Sequence, residues 1–301
     1  PLMIVRAVDS TPIAVHDLGG AGRILLFSHA TGFHGRCYTP VARRLAGRHC
    51  LALDYRGHGD TPRPEGPVDW VHYGDDALAV GSRLAGQQTG QPTGEQTGQP
   101  AGQHAGPIDA FGHSMGGAAL LMAAYRRPEL FRRLVLFEPI VFPPEARDPN
   151  RDNSLVRSTL RRRESFASYD DAIANFASKA PLAAFHPEAL EYYVRHGFRE
   201  AADGTVHLKC ARETESETFA TGTAHDTWDL LPQINTEVVV VNGRVDDAQP
   251  SMIAEAVAGR LPNARYLQRN DFDHFAPMTH PAEMAELLTE LLTGLLTDLP
   301  H

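Results

Sequence analysis

Ser114 lies in Phe111-Gly112-His113-Ser114-Met115-Gly116-Gly117, a Gly-x-Ser-x-Gly pattern of the kind that presents a nucleophilic hydroxyl on a sharp turn. A serine hydroxyl is a poor nucleophile at neutral pH. It needs an adjacent base, which in turn needs an acid to orient it. The chain order to look for is serine, then a carboxylate, then histidine. His274, in Asp271-Phe272-Asp273-His274-Phe275-Ala276-Pro277-Met278, is the candidate base, because it stands late in the chain between a strand and a final helix. For the acid, Asp246 is the first choice, since its loop directly follows a run of valines; Asp247 and Glu138 are the alternatives. Glu138 also follows an apolar strand, where its other role would be to orient the chain as it leaves the sheet. Negative charge developing on a carbonyl oxygen needs backbone N–H donors. Met115, directly after the serine, offers one. Thr31, in Ser28-His29-Ala30-Thr31-Gly32-Phe33-His34-Gly35, offers the second, with Ala30 as runner-up. Together these residues could carry out acyl transfer.

The surrounding elements must hold them in place. Residues 107–111 read as a buried strand and residues 118–125 as a helix, so Ser114 falls on a strand-to-helix turn. The helix directs its positive N-terminal end at the site. Further strands are expected at residues 3–8, 12–16, 24–28, 49–54, 132–137, 237–241 and 264–268. Helical periodicity is expected at residues 36–46, 68–84 and 281–299. Strands alternating with helices at this spacing predict an α/β fold with a mostly parallel sheet covered on both faces. Two stretches break the rhythm. Residues 86–106, with Gln-Thr-Gly-Gln-Pro recurring, have little apolar content and predict a flexible low-complexity loop. Residues 140–227 carry helical patterns at 154–166, 169–179 and 187–197 and predict an inserted helical cap. The expected division is therefore a core of residues 1–139 and 228–301 with a cap of residues 140–227. Arg161-Arg162-Arg163 in the cap reads as a solvated helix face, with recognition of an acidic partner or phosphate as the minority alternative.

Composition narrows the function classes. A chain of 301 residues with 42% hydrophobic and 22% charged residues matches a globular enzyme with a substantial core. A net charge of -9 argues against nucleic acid and against an anionic membrane surface as partners. Cys37, Cys50 and Cys210 are widely spaced and odd in number, which points away from a disulfide framework and toward a reducing, cytoplasmic setting. The opening Pro-Leu-Met-Ile-Val-Arg does not read as a signal peptide, and no apolar run reaches transmembrane length. No His-Glu-x-x-His or dinucleotide fingerprint is present, so neither metal nor cofactor is expected.

Taken together, these motifs resemble the α/β-hydrolase superfamily over nearly the whole chain. His29-Ala30-Thr31-Gly32 resembles its His-Gly oxyanion loop, and Asp54-Tyr55-Arg56-Gly57-His58-Gly59 the turn after its fourth strand. Gly112-His113-Ser114-Met115-Gly116 matches its nucleophile elbow, and Asp273-His274-Phe275 resembles its Gly-His-Phe. Gly243-x-x-Asp246-x-x-x-Pro250 matches its acid loop and favours Asp246 over Asp247. Ala30, Thr61 and Asp273 depart from the family's glycine, serine and glycine. The resemblance implies a sheet of about eight strands, an inserted cap and a Ser-His-Asp serine hydrolase, a carboxylesterase acting on a small-to-medium ester. On the same triad, C–C bond hydrolysis, thioester cleavage and cofactor-free perhydrolysis are the alternatives; a non-catalytic ligand-binding protein is a more distant one. Serine at the elbow argues against the aspartate-based epoxide hydrolases and dehalogenases of the superfamily.

Overall fold

Apolar runs rich in valine, leucine and phenylalanine pair into an eight-stranded sheet in the computed structural model, which describes residues 2–86, 106–146, 153–245 and 251–294. The first half of the chain supplies β1 (Leu2–Arg6), β2 (Pro12–Gly20), β3 (Arg23–Ser28), α1 (Thr39–Ala42), β4 (Arg48–Leu53), α2 (Trp70–Gly86), β5 (Ile108–His113), α3 (Met115–Arg126) and β6 (Phe131–Phe137). An insertion follows, with α4 (Ser154–Leu160), β7 (Ser165–Phe166), α5 (Tyr169–Ala177), α6 (Pro187–Gly197), β8 (Phe198–Glu200), β9 (Val206–Leu208), α7 (Arg212–Thr221) and α8 (Thr227–Leu230). The chain then returns to the sheet through β10 (Glu237–Asn242), α9 (Ala254–Arg260), β11 (Ala264–Gln268), α10 (Ala276–Thr279) and α11 (Pro281–Thr293).

The strand order is β1-β2-β4-β3-β5-β6-β10-β11, and only β2 runs against its neighbours. Helices α2, α3 and α9 pack on one face, while α1 and α11 pack on the other. Both faces are thus covered, which explains why central strands read as continuous apolar runs rather than alternating ones. The expected α/β-hydrolase fold, a mostly parallel eight-stranded sheet flanked by helices, is what the chain adopts.

Register decides where the chemistry-bearing residues come together. His113 of β5 pairs with Phe137 of β6, and Phe137 pairs with Val241 of β10. Ser114, Glu138 and Gly243 therefore leave the sheet close together along its C-terminal edge, where parallel sheets present their crevices. At the opposite end of β5, fully buried Asp109 takes salt bridges from Arg48 and, at 2.6 Å, Arg132.

Three local expectations change. The helix expected over residues 36–46 is a 3₁₀ turn, Gly35–Tyr38, followed by the single turn α1. Pro40 has no N–H to return to Arg36, whose carbonyl accepts from Thr39 Oγ1 at 2.8 Å instead. The helix expected over residues 154–166 ends at Leu160, where the N–H groups of Arg161 and Arg162 close back on Ser158 and Thr159 at 3.1 and 3.0 Å. The insertion is also not helical throughout, since β7, β9 and β8 form a small antiparallel sheet. Strands of two or three residues are too short to show a period of two. Residues 87–105 of the low-complexity stretch 86–106, and both aspartates of the expected acid loop, Asp246 and Asp247, lie outside the described residues.

Candidate active site

Ser114 occupies the turn between β5 and α3 with φ 56° and ψ −116°, a conformation that L-residues seldom take. Backbone held there costs about 1–3 kcal/mol and persists only where the surroundings impose it. The surroundings here are explicit. The Ser114 N–H donates to Phe137 O at 2.9 Å, and its carbonyl accepts from Gly117 and Ile140 at 3.0 and 3.2 Å. Glycine is required on the far side of the turn, because a Cβ on Gly116 would lie 2.2 Å from Ser28 O. Ser28 Oγ donates to Gly116 O at 2.9 Å and accepts from Tyr55 Oη at 2.5 Å, which clamps the elbow to β3.

His274 follows β11 on a loop shaped by Asp273, whose Oδ1 accepts from the N–H of Phe275 at 2.8 Å and from Thr279 Oγ1 at 3.2 Å. Aspartate thus stabilises this turn through its side chain, where the family pattern has glycine. His274 Nδ1 donates to Glu138 Oε2 at 2.6 Å. The other oxygen of Glu138 accepts the Gly243 N–H at 2.8 Å, and the side chain is 1% exposed. Glu138 itself has a left-handed backbone, φ 46°, fixed by its N–H to Val241 O at 3.0 Å. Among the described residues, the carboxylate facing His274 is therefore Glu138, from the end of β6; Asp246 and Asp247, in the loop after β10, lie outside those residues. The Glu-Pro dipeptide directly after an apolar strand was the available signal, and Glu138 keeps the order serine, carboxylate, histidine.

A second relay, which the sequence reading missed, links the three loops of the site. His113 Nε2 donates to the His274 carbonyl at 2.8 Å, so its Nδ1 is the acceptor for Tyr38 Oη at 2.9 Å. Tyr38 Oη in turn accepts the Ala30 N–H at 3.3 Å. Burial, reinforced by nearby His274, pushes the His113 imidazole well below its ordinary pKa and keeps it neutral in this tautomer. His29 is fixed in the same way: its Nε2 accepts the Tyr55 N–H at 2.9 Å, its Nδ1 donates to Ala30 O at 2.8 Å, and burial lowers its pKa to about 3. The Ala30 N–H is thus engaged by Tyr38. Thr31 lies beside it with its N–H unbonded among the described residues, and Met115 N–H stands in the first turn of α3, where helix donors have no internal partner. Phe33 reaches the same place from the loop after β3. Its ring centre lies 6.4 Å from His113, 5.4 Å from Tyr193 and 6.1 Å from both Phe185 and Phe275. Core, insertion and histidine loop therefore share one aromatic wall.

His16, Asp54 and Asp60 place ligand-type atoms within 4.8 Å of one another, an arrangement that could in principle hold a cation. Hydrogen bonds already occupy it. Asp54 accepts from His16 Nε2 at 2.7 Å, Gly35 N–H at 2.7 Å and Asp60 N–H at 2.8 Å, and Asp60 pairs with Lys209 at 2.6 Å. The cluster fixes the turn after β4, and Thr61 Oγ1, donating to Asp54 O at 2.6 Å, does the same from its far end. Among the described residues, no helix is long and apolar enough to cross a membrane.

A strained serine at a strand-to-helix turn on a parallel sheet, with a histidine–carboxylate pair on the same edge, defines a hydrolase class. A sequence profile of the Alpha/beta hydrolase family matches residues 25–287, and the chain belongs to that family. It is 24% identical over 302 residues to the putative carbamate hydrolase RutD of Caulobacter vibrioides, covering 97% of this chain and 98% of that one. It is also 31% identical over 96 residues to the type I acyl-CoA thioesterase mpaH of Penicillium brevicompactum, a match spanning 31% of this chain and 22% of that one. Among solved structures, the esterase EaEST from Exiguobacterium antarcticum superposes with a TM-score of 0.70 at 19% identity, covering 97% of this chain and 99% of that one. The chain spans less than half the length of several curated relatives it matches, and the relatives differ in the bond they are named for.

Proposed function

We propose that the protein is a serine hydrolase that cleaves a small-to-medium carboxylic ester through an acyl-enzyme. The observation that carries this reading is the 2.6 Å hydrogen bond from His274 Nδ1 to buried Glu138, on the same sheet edge as strained Ser114. Ser114 Oγ attacks the ester carbonyl while His274 Nε2 takes its proton. The same imidazole then returns the proton to the departing alcohol. Glu138 holds the tautomer with Nδ1 protonated and stabilises the imidazolium that forms. The N–H groups of Thr31 and Met115 receive the oxyanion. Water, activated by His274, then releases the acid by the reverse sequence. Residues 140–227 act as a cap, and the wall of Phe33, Phe185 and Phe275 favours an apolar acyl or alcohol group.

Purified protein should hydrolyse p-nitrophenyl esters and lose at least about 10³-fold in kcat with Ser114→Ala, as removal of a nucleophile requires. A fluorophosphonate probe should label wild type and not the variant. Equal rates in the two proteins would end the proposal. Thioester cleavage is the second reading, favoured by the local match to an acyl-CoA thioesterase. Comparing kcat/KM for an ester and its matched thioester separates the two.

A further inference from the structure

A charged pair in the insertion lies against the loop that carries Thr31. Glu215, in the first turn of α7, is 6% exposed, and its Oε2 accepts from Arg162 Nη1. Arg162 also donates through Nη2 to Tyr193 Oη, and its guanidinium lies 5.9 Å from the Phe176 ring centre. The other carboxylate oxygen occupies the space above Gly32. A Cβ built on Gly32 would stand 2.4 Å from Glu215 Oε1 and 2.7 Å from its carboxyl carbon. Only glycine admits the carboxylate so close to the residue after Thr31. Burial pushes the Glu215 carboxyl up, and Arg162 opposes that shift. Among the described residues, the charged and titratable groups facing Glu215 are Arg162, Tyr193 and Cys210, of which Arg162 is the cation.

Burying such a pair gains little stability over an apolar pair of the same shape. Its position has a chemical consequence instead. By Coulomb's law, any uncompensated negative charge about 6 Å from a forming oxyanion, at an effective dielectric of about 20, slows such a step about 100-fold. Resting on the serine-hydrolase reading above, we propose that Arg162 is a positioning residue acting through Glu215. It holds the carboxylate as a brace on Gly32 and cancels the charge that would otherwise oppose the oxyanion. The insertion therefore sets the electrostatics of the chemical step as well as the shape of the pocket.

The test is a charge cycle on the full chain, read with a p-nitrophenyl ester. Arg162→Gln should lower kcat 30- to 100-fold with KM changed less than about threefold, because the ground-state carbonyl carries little charge. Adding Glu215→Gln to it should return kcat to within about tenfold of wild type. Glu215→Gln alone should keep kcat at least tenfold above that of Arg162→Gln. An unchanged kcat in Arg162→Gln, or a double variant no better than that single one, overturns the inference. If Arg162→Gln does not fold, the neutral double variant decides: a loss under about tenfold supports the role, and a larger loss overturns it. Ser114→Ala in the same assay separates the levels. Activity that survives it removes both readings, whereas activity lost there but intact in Arg162→Gln removes only this one.

Discussion

At the residue scale, the site turns on which carboxylate orients His274. Glu138 presents one oxygen to Nδ1 and the other to the Gly243 N–H, so its rotamer is fixed at both ends. Glu138→Gln keeps the shape and removes the charge. It should cut kcat by about 10²–10⁴, because the amide can present its NH₂ group to Nδ1 and so favour the wrong tautomer. Asp246→Asn should stay within about threefold of wild type in the same ester assay. The reverse ranking would return the acid role to the loop after β10. Tyr38→Phe removes the donor to His113 Nδ1 and the acceptor for Ala30 N–H together. A loss of about 10-fold in kcat is expected, with a melting temperature lower by several degrees, since a buried donor and a buried acceptor are both left unpaired beside the site. Residue type and chain position single out Ser114 and His274 in the sequence, and the fold brings both to one sheet edge. In the sequence Asp246 ranks above Glu138 because a matching motif outweighs an equally good strand-end position, and Asp246 lies outside the described residues. Tyr38 and His113 were not legible, because a relay that joins three loops exists only after folding.

At the element scale, the strands were readable because burial on both faces forces continuous apolar runs. The short elements were not: β7, β8 and β9 span two or three residues each, below the length at which any period shows. The elbow adds a steric requirement that the pattern alone implied only loosely. Gly116→Ala drives a methyl group into the Ser28 carbonyl, which is backbone and yields little. The expected result is a melting temperature lower by about 5–10 °C, or no soluble protein, by scanning calorimetry. Gly259, inside α9, meets nothing within 4 Å of a built Cβ. Gly259→Ala should hold or raise the melting temperature by about 1–3 °C, through lower unfolded-state entropy and better helix propensity. Equal behaviour of the two variants would contradict the packing described for the elbow.

At the scale of the whole molecule, buried histidines set the response to acid. His29, His34 and His58 are buried and held at about 3, 4 and 4, chiefly by desolvation, against an ordinary value of 6.5. The unfolded chain binds these protons first, so their contribution is complete above pH 6.5 and is lost as pH falls toward 4. Each costs on the order of 1.4 kcal/mol per pH unit in that window. The urea midpoint should therefore fall steeply between pH 6.5 and 4.5 and vary little between pH 7 and 8. A flat profile through the acid window would contradict neutral burial of these rings. The sheet also fixes the orientation of the molecule on a support. Gly86 closes α2 and Ile108 opens β5, while Ser114 emerges from the far end of that same six-residue strand, about 20 Å away. Pro107, exposed just before Ile108, marks the edge remote from the serine. A biotin, a fluorophore or a resin linkage attached at that position would leave the reactive edge turned toward bulk solution.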